Sequence, residues 1–144
     1  MVQTIGIIGG SGIYAIEGFQ QEEERVVSTP FGAPSAPLRI GTLGATRVVF
    51  LPRHGTGHTS SPTEIPFRAN IYALKEAGVD AILSISAVGS LKEELPPGTM
   101  VLPDQFIDRT TNRERTFFTD GVVGHVAFGD PICSKLADQV EAAV

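Results

Sequence analysis

The sequence predicts an α/β fold in which a sheet with parallel strands carries helices. Apolar runs typical of buried strands lie at residues 4–8, 46–51 and 79–86 of the 144-residue chain. A helical pattern lies between the second and third runs, and each run ends in a loop of small or polar residues. A strand, a helix and a further strand in this order favour parallel pairing.

Composition narrows the class of protein. Hydrophobic residues make up 42% and charged residues 19% of the chain, and the net charge is −5. This acidic balance argues against non-specific nucleic-acid binding, because such binding needs a basic surface. Cys133 is the single cysteine, which excludes an intrachain disulfide and a thiolate zinc cluster. No secretion signal or membrane-spanning run is recognised, so we expect a cytoplasmic protein without a membrane partner.

The first half of the chain is rich in strand patterns. The strand at 4–8 leads into Gly9-Gly10-Ser11-Gly12, and the acidic stretch at 17–24 is predicted to be a solvated edge. A short strand is expected at 25–28. Two strand patterns at 38–43 and 46–51 are separated by Gly44-Ala45, which predicts a hairpin.

The helices are predicted from apolar spacing and end signals. The first begins at 63 or 66 and ends at 77, followed by Gly78. Its apolar stripe is Phe67, Ile71 and Leu74. A short helical turn at 91–95, a strand at 100–107 interrupted by Pro103, and a loop at 109–120 follow the strand at 79–86.

The chain closes with a second helical pattern. Asp130 suits an N-cap and Pro131 the first helical position. Its apolar stripe is Ile132, Leu136, Val140 and Val144. We therefore expect residues 1–144 to form a single domain, or part of one, that is cut within a helix.

Three loops follow the carboxyl ends of the predicted parallel strands, where open α/β sheets bind ligands. The first offers backbone N–H groups and Ser11, the second Arg53 beside His54, and the third Ser86. A phosphate dianion needs such a combination of guanidinium, hydroxyls and oriented amides. The sequence therefore predicts an anion site at this edge of the sheet.

Other chemistries fit the motifs less well. His54 and His58 have the spacing of two metal ligands on a helix, but Gly55 and Gly57 disfavour a helix there. Ser11 and Ser86 do not lie in a G-x-S-x-G elbow, so a serine nucleophile is disfavoured. The glycine spacing does not match the dinucleotide fingerprint, which ranks a Rossmann oxidoreductase last. A non-catalytic phosphate- or nucleotide-binding domain stays open.

Six stretches carry a family resemblance when they are taken together. They are 5–13, Thr29-Pro-Phe-Gly32, Arg53-His-Gly55, 69–75, 86–91 and 104–110. Their combination resembles the 5′-methylthioadenosine phosphorylases of the purine nucleoside phosphorylase group, and it runs through nearly all of the chain. The resemblance implies a phosphorylase/hydrolase-like α/β fold with a central mixed β-sheet flanked by helices, of which residues 1–144 are the N-terminal portion.

The resemblance also implies a reaction. Family members use inorganic phosphate, and no cofactor, to convert S-methyl-5′-thioadenosine into adenine and 5-methylthioribose 1-phosphate, a step of purine and methionine salvage. The phosphate contacts that it implies are Ser11, Arg53, His54, Ser86 and the backbone of Ala87. The substrate contacts are Ala87, Val88, Gly89 and His125, the last supplied by a neighbouring subunit of a homotrimer. No metal is implied.

One departure from the family pattern concerns catalysis. Family chains continue into a second half with a ribose-binding methionine region and the aspartate that protonates the purine, and neither occurs in these 144 residues. We therefore expect no catalytic residue in this portion and negligible turnover by it alone. The alternatives are an S-methyl-5′-thioinosine phosphorylase, a general purine nucleoside phosphorylase, or a truncated subunit that binds phosphate or nucleoside without catalysis.

Overall fold

A mixed five-stranded sheet organises the first part of the chain. The computed structural model describes residues 4–10, 13 and 15–144, which divide into a first unit ending at Ala87 and a second unit, Val88–Val144. The described strands are β1 (Thr4–Gly9), β2 (Phe19–Arg25), β3 (Leu38–Leu43), β4 (Thr46–Pro52) and β5 (Ala81–Ile85). The helices are α1 (Phe67–Glu76) and α2 (Ser134–Glu141). The expectation of one domain stays a prediction.

The strand order is β2-β3-β4-β1-β5. β1 pairs in parallel with both β4 and β5, so that Ile7 lies opposite Phe50 on one side and Leu83 on the other. β2 with β3, and β3 with β4, pair in antiparallel fashion. The predicted hairpin at 38–51 and the predicted mixed sheet are both confirmed.

The core of the first unit lies on both faces of the sheet. Side chains of β4 alternate between the faces, because successive residues of a strand point in opposite directions. Val49 and Leu51 join one buried cluster with Leu74 of α1, while Val48 and Phe50 join another with Ile7. β4 is the middle strand of the sheet and is buried from Val48 to Pro52. Such a continuous buried run is typical of a strand covered on both faces.

Helix α1 buries Leu74, as predicted, but not the other two residues of the predicted stripe. Its buried residues are Ala69, Asn70, Ala73 and Leu74, whereas Phe67 and Ile71 of the predicted stripe are exposed. The small alanines lie four residues apart and therefore share a helix face. Asn70 is accommodated there because its Oδ1 accepts from the Ser35 amide at 2.8 Å and its Nδ2 donates to Ser35 Oγ at 2.9 Å.

Strand β2 lies at a different position from the strand predicted in this part of the chain. It occupies Phe19–Arg25, so the predicted strand at 25–28 is wrong, and the acidic stretch forms the edge of the sheet as a paired strand. Its register against β3 shifts between Gln21 and Glu23. Backbone pairing with β3 outweighs the low strand preference of glutamate, since one face of an edge strand remains in water.

The second unit, all of whose residues are described, contains α2 and no strand. The predicted strand at 100–107 is wrong, because no neighbouring strand supplies backbone partners and Pro103 lacks an N–H group. The predicted helical turn at 91–95 is a turn closed by the Leu95 amide on the Lys92 carbonyl at 3.2 Å. No helix among the described residues is long and apolar enough to cross a membrane.

The start of α2 also differs from the prediction. The helix begins at Ser134 with Cys133 at the N-cap, not with Asp130 and Pro131, since the backbone of Cys133 is still extended at ψ 104°. Leu136 and Val140 of the predicted stripe are half-buried. Ile132 lies before the helix and Val144 beyond it, so neither belongs to its face.

Candidate functional site

Arg53 lies at the carboxyl ends of three neighbouring parallel strands. It directly follows β4, and its backbone amide donates to the carbonyl of Gly9, the last residue of β1, at 3.0 Å. Its Nη1 donates to the carbonyl of Ile85, the last residue of β5, at 2.9 Å. The ends of β4, β1 and β5 are thus tied together through one arginine. The strand ends predicted to carry the anion site are neighbours in the fold.

The backbone of Gly10, directly after β1, lies close to the guanidinium of Arg53. A Cβ added at Gly10 would lie 3.3 Å from Nη2 and 3.6 Å from Cζ of Arg53. Only glycine brings its backbone so close without a side chain in the way. Ser11, the hydroxyl predicted to contact phosphate, lies outside the described residues and stays a prediction.

His54 is buried beside Arg53, with 7% of its surface exposed. Its Nε2 lies 3.0 Å from Arg53 Nε, and its Nδ1 lies 3.0 Å from the carbonyl oxygen of Ser60. An arginine Nε always donates, and a carbonyl oxygen only accepts. Both contacts are hydrogen bonds only when the imidazole is neutral and its hydrogen is on Nδ1. Both ring nitrogens then have partners within the chain.

The loop that carries these residues is a succession of tight turns. The Gly55 amide donates to the Pro52 carbonyl at 3.2 Å, and the Ser60 amide donates to the His54 carbonyl at 2.9 Å. Gly55 has a φ of 78°, and a Cβ added there would lie 2.8 Å from Thr59 Oγ1 and 3.1 Å from the Ser35 carbonyl oxygen. Conformation and space therefore both require glycine at this position.

The two histidines of this loop are stacked. The ring centroids of His54 and His58 are 4.3 Å apart with an angle of 22° between the planes. Nitrogen lone pairs lie in the plane of each ring, so stacked rings do not aim at a common ion. Among the described residues, no group of three or more His, Cys, Asp or Glu side chains could hold a metal. This geometry disfavours His54 and His58 as a ligand pair.

Ser86 and Ala87 follow β5 and are exposed, next to the carbonyl that binds Arg53. No carboxylate within the described residues forms a salt bridge with Arg53. The positive charge at these strand ends is therefore not neutralised by the described part of the chain. Ser86 and Ala87 follow directly on Ile85, whose carbonyl binds this guanidinium, and a hydroxyl, a backbone amide and a cation are groups that suit an anion.

The second unit holds the other predicted residues. Val88, Gly89 and His125 are exposed and stay predictions. The unit also has a cavity of about 590 Å³, and its lining residues include Asp104, Asp130, Asp138 and Glu141. An acidic lining repels anions, so this cavity does not suit a phosphate.

Asp108 closes a local turn in the second unit. It accepts hydrogen bonds from the Thr110 amide at 2.9 Å and from Thr110 Oγ1 at 2.7 Å. Both hydrogen bonds hold the pKa of Asp108 below its usual range, and the one from the backbone amide has the larger effect. These bonds give the carboxylate a structural role.

Several contacts that build the site could not be found from sequence patterns. The carbonyls of Ile85 and Ser60 orient Arg53 and His54, but every residue has a carbonyl, so sequence gives no signal for them. Asn70 was also missed as a buried residue. A polar residue between Ala69 and Ala73 on a helix with few large apolar side chains is the only signal that could have pointed to it.

The chain belongs to the phosphorylase superfamily, whose family pattern it matches over residues 4–144. It is similar to the S-methyl-5′-thioadenosine phosphorylase of Geobacter sulfurreducens, with 56% identity over 99% of this chain and 50% of that protein. It is also 54% identical to the enzyme of the same name from Synechocystis sp., over 97% of this chain and 43% of that protein.

The solved structures that the chain resembles include methylthioadenosine phosphorylases as well. A methylthioadenosine phosphorylase from an antarctic soil metagenomic library superposes with a TM-score of 0.91 and 50% identity, over 96% of this chain and 48% of that one. The Schistosoma mansoni methylthioadenosine phosphorylase in complex with tubercidin superposes with a TM-score of 0.92 and 41% identity, over 97% and 52%. The predicted phosphorylase fold is confirmed. The chain spans about half the length of the relatives that it matches.

Proposed function

We propose that this chain provides the phosphate-binding part of an enzyme that converts S-methyl-5′-thioadenosine and inorganic phosphate into adenine and 5-methylthioribose 1-phosphate. The observation that carries the proposal is the position of Arg53. Hydrogen bonds to Gly9 and Ile85 hold it at the ends of three parallel strands. The names of relatives at 53–56% identity support this choice of substrate.

The chemistry suits such a site because phosphate is itself the nucleophile. A phosphate oxygen bonds to the anomeric carbon while the glycosidic bond breaks, and the bonding electron pair leaves with the purine. The protein must place the dianion under the anomeric carbon and stabilise the developing positive charge of the sugar. Inorganic phosphate is a co-substrate, and the proposed reaction uses no other cofactor and no metal.

The proposed contacts are of two kinds, those to phosphate and those to the nucleoside. Arg53 and the hydroxyl groups of Ser11 and Ser86 bind the phosphate, together with the Ala87 amide. His54 is a further phosphate contact of the proposed set, and it lies beside Arg53. The nucleoside contacts are Ala87, Val88, Gly89 and His125, with His125 supplied by a neighbouring copy in a homotrimer. We assign the protonation of the leaving purine to none of these residues.

A titration of inorganic phosphate followed by isothermal calorimetry tests the phosphate site. The Arg53→Ala variant removes the guanidinium, whereas Arg47→Ala removes an equal charge from an exposed position of β4. A charge-assisted hydrogen bond contributes about 1.5–3 kcal/mol, so Arg53→Ala should weaken binding about 10- to 100-fold. Arg47→Ala should bind like the parent chain. Equal binding by the parent chain and Arg53→Ala would overturn the phosphate site.

The second candidate is a subunit that binds phosphate or nucleoside without turnover, because no residue of the proposed site is assigned the protonation of the purine. Incubation with S-methyl-5′-thioadenosine and phosphate, with adenine measured by chromatography, separates the two. Adenine release that requires phosphate and is lost in Arg53→Ala supports the enzyme. Phosphate binding without adenine release supports the binding subunit.

A further inference from the structure

We propose that Asn70 is a positioning residue for the loop that carries Arg53. It acts on this loop through Ser35, which it holds against Gly55, and it makes no contact with phosphate itself. The inference rests on the proposed function. Three contacts carry it, namely two hydrogen bonds between Asn70 and Ser35 and the packing of the Ser35 carbonyl oxygen against Gly55.

Asn70 is itself fixed by the packing of helix α1. It is 2% exposed, and its neighbours Ala69 and Ala73 on the same helix are also buried. Leu74 of α1 lies in one buried cluster with Leu51 of β4. Since close-packed interiors resist displacement, the side-chain amide of Asn70 is held in place relative to the strand that leads to the site.

Two hydrogen bonds connect this amide group to Ser35. Asn70 Oδ1 accepts from the Ser35 backbone amide at 2.8 Å, and Asn70 Nδ2 donates to Ser35 Oγ at 2.9 Å. The segment around Ser35 is stiff, because the rings of Pro34 and Pro37 restrict φ at both positions. Bonds to the backbone and the side chain of one residue in such a segment also restrain its carbonyl group.

The Ser35 carbonyl oxygen borders the loop after β4. A Cβ added at Gly55 would lie 3.1 Å from this oxygen. The Gly55 amide donates to the Pro52 carbonyl at 3.2 Å, and this turn contains Arg53. If the Ser35 carbonyl moved away from Gly55, the turn would gain space in which to move. Asn70 prevents this by holding Ser35.

The packing of α1 alone does not explain an asparagine at position 70. Ala69 and Ala73 are buried on the same helix without any polar side-chain atom. A buried amide group is unfavourable unless its hydrogen bonds are satisfied, so an apolar side chain would suit packing better. Both polar atoms of the Asn70 side chain are bonded to Ser35. The contact with Ser35 is therefore the reason for an amide group at this position.

Phosphate calorimetry on two variants of α1 tests the positioning role. Asn70→Leu keeps a branched side chain without hydrogen bonds, whereas Ala73→Gly weakens the same helix and leaves the bonds to Ser35 in place. We expect Asn70→Leu to weaken phosphate binding about 2- to 30-fold, the range for residues that act through a packed network. Ala73→Gly should bind like the parent chain. Equal binding by Asn70→Leu and the parent, or equal weakening in both variants, would overturn the proposal.

A milder pair of variants at Ser35 tests the same contact with less risk to folding. Ser35→Ala removes only the acceptor of Asn70 Nδ2, and it should weaken phosphate binding about 2- to 10-fold, in line with the loss of one neutral hydrogen bond. Ser35→Thr keeps the hydroxyl group and should restore most of the affinity. Equally weak binding by both would contradict the role of this bond. Far-UV circular dichroism checks that each variant is folded.

A double-mutant cycle with Gly55→Ala tests whether Asn70 acts through the packing of Ser35. In the parent chain the added methyl group meets the Ser35 carbonyl oxygen. In the Asn70→Leu background this carbonyl can move away, so Gly55→Ala should weaken phosphate binding by a smaller factor. The same factor in both backgrounds would overturn the proposal, since it would show that Asn70 does not restrain Ser35 at Gly55.

Amide NMR of the chain without phosphate separates this inference from the proposed function. Asn70→Leu should shift the amide signals of Gly55 and Ser60, which both donate hydrogen bonds within the loop, and Ala73→Gly should leave them in place. Unshifted signals in Asn70→Leu, or equal shifts in both variants, would overturn the positioning role. Shifted signals together with a parent chain that binds no phosphate would disprove the proposed function, while the effect of Asn70 on the loop would stand.

Discussion

The two units of the chain differ in how far their apolar side chains are buried. In the first unit, Leu38, Val49 and Leu74 are each 0% exposed, and they pack between the sheet and α1. In the second unit no residue is buried, and Leu91 is 103% exposed. The difference follows from backbone pairing. Paired strands create two faces that helices and loops can cover, whereas residues 88–133 contain no helix or strand and create no such face.

The proposed contacts in the first unit are better defined than those in the second. Arg53 is held by the ends of strands whose side chains are in the core, and close-packed interiors resist displacement. Val88, Gly89 and His125 lie on segments of the second unit without helix or strand. Positions on such segments depend mainly on local turns and side-chain contacts.

A matched pair of leucine substitutions should give the largest difference between the units. Leu74→Ala removes a fully buried side chain and should lower the free energy of unfolding by about 2–5 kcal/mol, through lost burial and the cavity left behind. Leu91→Ala removes an exposed side chain and should change it by less than about 0.5 kcal/mol. Urea unfolding followed by far-UV circular dichroism measures both. Similar losses in the two variants would contradict the contrast between the units.

Two glycines in the loop that carries Arg53 and His54 allow a similar comparison between a crowded position and an open one. Gly55 and Gly57 have nearly equal φ values of 78° and 79°, but an added Cβ meets the Ser35 carbonyl oxygen at 3.1 Å only at Gly55 and meets nothing within 4 Å at Gly57. An alanine at either position adopts the left-handed region at a cost of about 1–2 kcal/mol. The clash should make Gly55→Ala about 1–3 kcal/mol worse than Gly57→Ala.

The measurement for this pair is again urea unfolding, with phosphate affinity as a second readout. Gly57→Ala is the control for backbone conformation alone, because it adds the same methyl group in open space. We expect Gly55→Ala also to weaken phosphate binding, since it displaces the loop that carries Arg53 and His54. Equal stability of the two variants would show that packing does not determine this loop.

The same contrast explains which elements could be predicted from the sequence. β1, β3, β4 and β5 were predicted because buried strands are apolar runs, and Gly44 marks the hairpin turn with a φ of 60°. β2 was not predicted at 19–25, since its glutamates have low strand preference and pair only because β3 lies beside them. The strand wrongly predicted at 100–107 is apolar but has no partner strand. The strand preference of a segment therefore predicts a strand correctly only where the fold also supplies a partner strand.

The candidate site was predictable to a similar extent. Arg53 was singled out because a permanent cation directly follows a buried strand, and the structure places it at the ends of two further strands. The hydrogen bond between Arg53 and His54 was not predicted, because it depends on how the loop brings the Ser60 carbonyl to Nδ1. Residue type and spacing indicate which groups are available. Only the fold decides which of their atoms already have partners.

The smallest expected effect concerns local order in the second unit, at Asp108. Its pKa is lowered by hydrogen bonds from the amide and hydroxyl of Thr110, so its folded-state pKa lies below the unfolded value. A depressed carboxyl pKa contributes stability above the unfolded pKa, and this contribution is lost as the pH falls through the folded value. The Thr110 amide proton shift, followed by NMR, should therefore titrate at a pH below the usual range for aspartate.

Asp108→Asn is the control for this titration. The amide side chain keeps an acceptor oxygen for the Thr110 amide but does not titrate, so the pH dependence of the Thr110 signal should disappear. Because the contact is exposed, the change should stay within the turn and leave the amide signals of β1 and β4 unaffected. A Thr110 signal that titrates at the usual aspartate value would show that these bonds do not hold the turn. If the amide signals of β1 and β4 titrate together with that of Thr110, protonation of Asp108 affects more than its own turn. That result would contradict the local character of order in the second unit.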